Sequence, residues 1–367
     1  MECLEKLVWK NFNRKELAEI KIEPPKKAVT ERVKRNWDGI AKPIDGMGRL
    51  ETLTAQIGGI LGTEKISLAK KAVIMMCADN GIVAEGISQS GQEITAAVAR
   101  NMGKGKSSVG RMASFIGADT IPVDIGINYD GEIEGVLNRK VRCGTRNFRK
   151  EPAMTEQETI QAISVGIDMV RSCKEKGYAL LGTGEMGIGN TTTSSAVAAA
   201  LLGCDVCEVT GRGAGLDDAG LFRKQKVIAE AVEKYRLYEA DVLTVLQTVG
   251  GLDIAGLAGV CMGGAVYHIP IVLDGVISMV AALAAELLLP GTVHYLLPSH
   301  NGKEPAAEKL AKKLGLEPII DGKLALGEGT GAVLLFSLLD MALCVYQSRA
   351  TFQDARIEQY QRYETGK

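Results

Sequence analysis

The chain has 367 residues, 46% of them apolar and 24% charged, with a formal net charge of −1. That is ordinary globular usage, enough for one large core or about two domains. Balanced charge, 5% aromatic residues and no Lys/Arg stripe argue against a nucleic-acid or membrane-surface partner.

Residues 1–65 look helical and charged, broken by Pro24-Pro25 and by Pro43. The opening Met1-Glu-Cys-Leu-Glu-Lys carries charges where a signal peptide needs an apolar core, so a soluble, cytoplasmic protein is expected. Beyond this point the 43 glycines cluster at the ends of short apolar runs. A strand is expected over 72–77, stopping at Ala78-Asp79-Asn80-Gly81, then a helix over 92–115. Strand 120–124 precedes Ile125-Gly126, helix 156–176 follows, and strand 178–181 runs into Gly182. Helix 191–202, strand 206–209 before Thr210-Gly211, and helix 221–238 continue the alternation. The long apolar run 269–290 contains Asp274, Gly275 and Glu286. A charge at a bilayer centre costs roughly 2.5–3.5 kcal/mol, so the run reads as a strand and a buried helix, with no membrane span. Residues 329–363 read as two more helices around Ala350-Thr-Phe.

Strands alternating with helices of ten or more residues make an α/β protein with βαβ units on a parallel sheet. Its ligands bind beyond the carboxyl ends of the strands, where the glycine turns lie. A small helical domain from both termini (1–65 plus 333–367) is expected beside a large α/β domain (66–332). Eight scattered cysteines favour reduced thiols. Cys204-Asp-Val-Cys207 has C-x-x-C spacing, but it lacks a second ligand pair, and His268, His294 and His300 are distant in sequence. No metal and no cofactor are expected.

Three segments carry the chemistry. Leu180-Leu-Gly182-Thr-Gly184-Glu185-Met186-Gly187-Ile188-Gly189-Asn190-Thr191 runs from a strand into a helix. Its glycines let the backbone approach a ligand, Asn190 or Thr191 suits the N-cap, and the first-turn N–H groups offer a phosphate site. Gly182 to Gly187 also fits G-x-G-x-x-G, the dinucleotide fingerprint, which keeps a nicotinamide-dependent oxidoreductase as the alternative reading; Glu185 and the mid-chain position count against it. A ligand-free glycine turn is the plainer alternative. In Gly211-Arg-Gly-Ala-Gly-Leu-Asp-Asp218 and the helix after it, Arg212 or Lys224 can neutralise a phosphate, or both are simply surface cations. In Leu326-Gly327-Glu328-Gly329-Thr330-Gly331, Glu328 is either an isolated reactive carboxylate or a first-turn acid complementing the helix dipole.

The same segments, with Ala78-Asp-Asn-Gly81, Glu85-Gly-Ile-Ser88, Gly144-Thr-Arg-Asn-Phe148, Gly250-Gly-Leu-Asp-Ile-Ala255, Leu273-Asp-Gly275 and Ser299-His300, resemble the nicotinate-nucleotide:dimethylbenzimidazole phosphoribosyltransferase family of cobalamin assembly. The resemblance runs from Lys42-Pro43 to Thr351-Phe352, and Gly184-Glu-Met-Gly-Ile-Gly-Asn-Thr-Thr192 is its most specific block. It implies a Rossmann-like parallel sheet flanked by helices, a small helical domain from both termini and a homodimer. The implied reaction transfers the phosphoribosyl group of nicotinate mononucleotide to a benzimidazole-type base. The implied catalytic base is Glu328, with Leu326 and Gly327 beside it among the substrate contacts. The nucleotide loop falls on Gly184–Thr192, Lys224 joins it, and the acceptor pocket lies near Ser88 and Gln92. Asn80, Gly91, Asp253 and Ala325 depart from the family's commoner histidine, proline, glutamate and arginine.

Overall fold

The computed structural model describes residues 13–348 and 350–362, so the expectations on 1–12 and 363–367 lie outside them. At its centre is β1 (Lys71–Ala78), buried along its whole length. It pairs in parallel with β2 (Asp119–Gly126), Ile74 opposite Ile121, and with β4 (Leu180–Met186), Ile74 opposite Thr183. β3 (Leu137–Asn138), β5 (Ile271–Leu273) and β6 (Leu296–Pro298) complete a six-stranded sheet in the order β3-β2-β1-β4-β5-β6. The order reverses between β1 and β4, the place where an open α/β sheet leaves a crevice beyond its strand ends.

β1 shows why the sheet is covered twice. Successive side chains of a strand face opposite ways. Ala72, Ile74 and Met76 join the core on one face, while Val73, Met75 and Cys77 join the core on the other. The first core takes α6 (Glu156–Glu175), α7 (Asn190–Leu202), α8 (Asp218–Lys234), α9 (Val242–Val249), α10 (Leu252–Tyr267), α11 (Val276–Leu288) and α12 (Ala306–Leu314). The second takes α2 (Lys27–Asp38), α3 (Arg49–Leu61), α4 (Glu93–Gly103), α5 (Ser108–Phe115) and α13 (Thr330–Gln347). The short α1 (Arg14–Glu19) places Leu17 in the first core. The terminal helices α2, α3 and α13 pack together, and Ile40 bridges to Thr351, yet Val33, Trp37 and Ile57 share one cluster with Val73 and Met75 of the sheet. α13 has the length and mean hydropathy (1.6) of a membrane span, but 56% of it is buried within the protein, as a core helix requires.

Several expected elements differ. The helix over 92–115 is two helices, because Gly105 turns left-handed (φ +65) and Ser107 caps α5 by accepting from the Gly110 N–H at 3.2 Å. Residues 206–209 form a 3₁₀ turn, not a strand, started by Asp205, whose side chain accepts from the Cys207 N–H at 2.7 Å. The second helix expected after Ala350 is a run of turns instead. Asp354 caps the Thr351 N–H at 3.0 Å, Arg356 is left-handed (φ +55), and Arg362 is tied to Asp38 and Asp45. A further two-stranded parallel sheet, β7 (His300–Gly302) with β8 (Ile320–Leu324), had no signal in the apolar pattern, since β8 has no buried residue.

Helices α6 and α10 approach closely because both offer glycine at the crossing. A Cβ on Gly166 would run into the Gly256 carbonyl, and one on Gly259 into the Ile163 carbonyl. Neither obstacle is a flexible side-chain end, so overpacking here should reach the upper part of its usual range, about 3 kcal/mol. Gly166→Ala is therefore expected to lower the urea midpoint at unchanged m-value. An unchanged midpoint would show that the helices separate freely.

Candidate active site

The strand ends of β4, β5 and β6 deliver polar residues to one crevice. A cleft of about 260 Å³ is lined by Glu185, Met186, Gly187, Ile188, Asn190 and Thr191 from the β4–α7 turn. Asp274 and Gly275 enter after β5, His300 after β6, and Leu326, Gly327 and Glu328 before α13. β7 and β8 form one wall, with Gly302, Lys303, Leu324 and Ala325 on it.

The β4–α7 turn is held from outside. The Ile188 N–H donates to Thr95 Oγ1 at 3.2 Å, and Thr95 donates to the buried Asp79 at 2.6 Å. Gly189 is left-handed (φ +94), so α7 starts abruptly and its first turn opens on the cleft. Asn190 does not cap the helix as expected: it is the first helical residue, and its amide is turned to the Glu185 carboxylate. Two glycines of the supposed fingerprint lie inside β4 rather than in a turn. A Cβ on Gly182 would meet Ala332 and Phe336 of α13, and one on Gly184 the Glu328 carbonyl. They serve strand–helix packing, whereas a dinucleotide fingerprint needs its glycines after the strand.

Glu328 stands at the bend into α13. It has φ +63 between two left-handed glycines, Gly327 (φ +81) and Gly329 (φ +99). Its Oε2 accepts from the Val109 N–H, in the first turn of α5, at 3.3 Å. The next N–H groups are gripped from below: Asp274 Oδ2 accepts from Gly329 at 3.1 Å, and Asp274 Oδ1 from Gly331 at 2.7 Å and Ala332 at 3.3 Å. Beside it, Ser299 Oγ donates to the Asp274 carbonyl at 3.1 Å and lies 2.9 Å from His300 Nδ1. A hydroxyl has one proton, so Ser299 accepts from Nδ1–H and leaves His300 Nε2 as an acceptor. Burial pushes the Asp274 carboxyl up and the His300 imidazole down, while their mutual attraction opposes both shifts.

Glu185 and Asp253 form an acidic pair. Burial, reinforced by Asp253, raises Glu185 to about 8, against the Asn190 amide and the Glu328 N–H. Burial raises Asp253 to about 7. Lys224 lies under the loop rather than in the cleft wall: fully buried, it donates to Thr191 Oγ1 at 2.9 Å and to the Gly211 carbonyl at 3.1 Å. Burial lowers it to about 8. Arg212, by contrast, pairs with Asp218 at the surface.

Ser88 and Gln92 do not line this cleft. Ser88 Oγ accepts from the Ser90 N–H at 3.2 Å. Gln92 borders a separate cavity of about 570 Å³ and bonds the Asn80 carbonyl at 3.2 Å and the Asn128 amide at 2.9 Å. Asp274, His300 and Lys303 were not singled out from the sequence as site residues. For the first two the usable signal was a polar residue within two positions of the end of an apolar strand. Cys204 and Cys207 are free thiols, and among the described residues no cluster of His, Cys, Asp or Glu is placed to hold a metal.

A parallel sheet whose strand-end cleft brings the start of α7 and the Glu328 carboxylate together defines an α/β enzyme scaffold. Residues 22–357 match the family model described as Phosphoribosyltransferase. Similar proteins include the nicotinate-nucleotide--dimethylbenzimidazole phosphoribosyltransferase of Acetivibrio thermocellus, 46% identical over 95% of this chain and 97% of that one. That of Ruminiclostridium cellulolyticum is 43% identical over 95% and 97%. The crystal structure of CobT from Thermus thermophilus superposes with a TM-score of 0.86 at 36% identity, covering 91% of this chain and 100% of that one. The chain belongs to the nicotinate-nucleotide:dimethylbenzimidazole phosphoribosyltransferase family. The oxidoreductase alternative has no support in these likenesses or in the position of the glycines.

Glu185 predicts a pH signature. Its carboxyl titrates near 8 when folded against an ordinary 4.5, so between those values the folded chain holds more protons than the unfolded one. Stability therefore falls as pH rises through that window and levels above it. Glu185→Gln keeps a neutral side chain throughout, so its unfolding temperature should exceed that of the parent at pH 9 and match it near pH 5. An equal offset at both pH values would remove Glu185 as the source.

Proposed function

We propose that this chain transfers the phosphoribosyl group of nicotinate mononucleotide to dimethylbenzimidazole or a related base, giving an α-ribazole-type phosphate and nicotinate. The observation that carries this reading is that Glu328 and the first turn of α7 line the same cleft. The α7 end attracts the phosphate by its dipole, the Asn190 and Thr192 N–H groups being engaged by the Gly187 and Gly189 carbonyls. Lys224 stabilises that end through Thr191 and places a positive charge beneath it.

The chemistry needs little more than alignment. Nicotinate joined to ribose is a pyridinium and leaves as a neutral ring. The acceptor nitrogen attacks the anomeric carbon from the opposite face, inverting β to α. Positive charge develops on the acceptor and acidifies its other N–H. Glu328 takes the proton once the base is bound within about 2.6–3.2 Å of it, the reach of a general base. Holding two substrates in line contributes up to roughly 7–11 kcal/mol. We place the enzyme in the cytoplasm, in keeping with its free thiols, and read it as a homodimer on family grounds.

Two variants test the assignment. Glu328→Gln should fold normally and lose turnover by roughly 10²–10⁴-fold, the usual worth of general base catalysis. Products are counted by mass spectrometry from nicotinate mononucleotide and a panel of bases. Wild-type turnover in a folded variant would remove Glu328 from the mechanism. Lys224→Met should raise KM for nicotinate mononucleotide, since it removes the positive charge beneath the α7 end and the bond that holds Thr191. KM for the base should stay within about twofold on the same reasoning. Equal rises for both substrates would point to a general loss of structure.

A further inference from the structure

We infer that Asp274 is a positioning residue for Glu328: its buried carboxyl, clamped on the N–H groups of Gly329, Gly331 and Ala332, fixes where the Glu328 side chain stands. The inference rests on Glu328 being the proton acceptor, and it assigns to a second acid the job of aiming the first.

The geometry is specific. Residues 327–329 are three consecutive left-handed positions, and the middle one carries a side chain. A non-glycine residue held there costs of order 1–3 kcal/mol and persists only where its surroundings over-determine it. Asp274 supplies that determination with both oxygens. Oδ2 holds the N–H immediately after Glu328, and Oδ1 holds the first turn of α13. Its own position is fixed too, since its N–H donates to Thr183 Oγ1 at 3.1 Å, and Thr183 donates to Ser278 Oγ at 2.8 Å. Asp274 is 3% exposed, so little water competes for its oxygens. From the other side the Val109 N–H takes Glu328 Oε2, and the Glu328 carbonyl rests on Gly184. With the backbone pinned after it and beneath it, Glu328 has little freedom except about its side-chain torsions.

Asp274→Asn is the informative change, because it keeps the shape but offers one acceptor and one donor where three N–H groups converge. Misplacing a reacting group by about an ångström costs about 10²-fold, so a loss of kcat of about ten- to a hundredfold is expected. KM for nicotinate mononucleotide and for the base should stay within about threefold, because both Asp274 oxygens are engaged by the Gly329, Gly331 and Ala332 N–H groups. In a Glu328→Gln background the same change should cost nothing further, since residues acting through one group are not additive. Thr183→Val, which loosens Asp274 from outside the cleft, repeats the test if Asp274→Asn does not fold. A fall in kcat of about threefold, absent in the Glu328→Gln background, is then expected. Additive losses in either double variant, or a KM effect larger than the kcat effect, would overturn the clamp. If Glu328→Gln alone is crippled and Asp274→Asn or Thr183→Val turns over normally, the clamp falls and the base assignment stands. If Glu328→Gln turns over normally, both fall together.

Discussion

The constraint on which the rest depends is that β1 is hidden from water on both faces. A parallel strand with neighbours on either side leaves no solvated surface, so helices must cover the sheet twice. The chain meets this with two helical layers, and the terminal helices are drawn into the second because Val73, Met75 and Cys77 need cover. The strand ends are the only parts of such a sheet that can stay open, and that is where the cleft lies.

Glycine does more here than make turns. Gly184 lets the Glu328 carbonyl rest on β4, and Gly166 with Gly259 lets α6 and α10 meet backbone to backbone. Each contact brings two distant segments closer than any side chain allows. The cleft is therefore built by main chain lying on main chain, with side chains added at its rim.

Much of this was legible in sequence for a physical reason. Fully buried strands such as 72–77 and long capped helices such as 156–176, opened by Thr155 with Glu158, leave runs and periods that survive without tertiary knowledge. Glu328 was legible as a carboxylate set among glycines at a helix start, but spacing left its role open between a reactive acid and a first-turn acid, and only the family resemblance chose. What failed depended on partners. The 206–209 segment has strand-like residues but takes a turn that Asp205 imposes. β8 shows no apolar run because none of its residues is buried. Gly182 and Gly184 looked like turn glycines, and only the position of α13 shows that they are packing glycines. Asp274 was noticed as a charge in an apolar run, but nothing in sequence places it 55 residues away under Gly329.

The left-handed backbone at Glu328 has a consequence for directed evolution. Position 328 is one where glycine would relieve the chain, so the fold gives up stability to keep a carboxylate there. Selection of heat-resistant variants without a screen for product would be drawn to that position and, on the role proposed for Glu328, would return well-folded proteins without turnover.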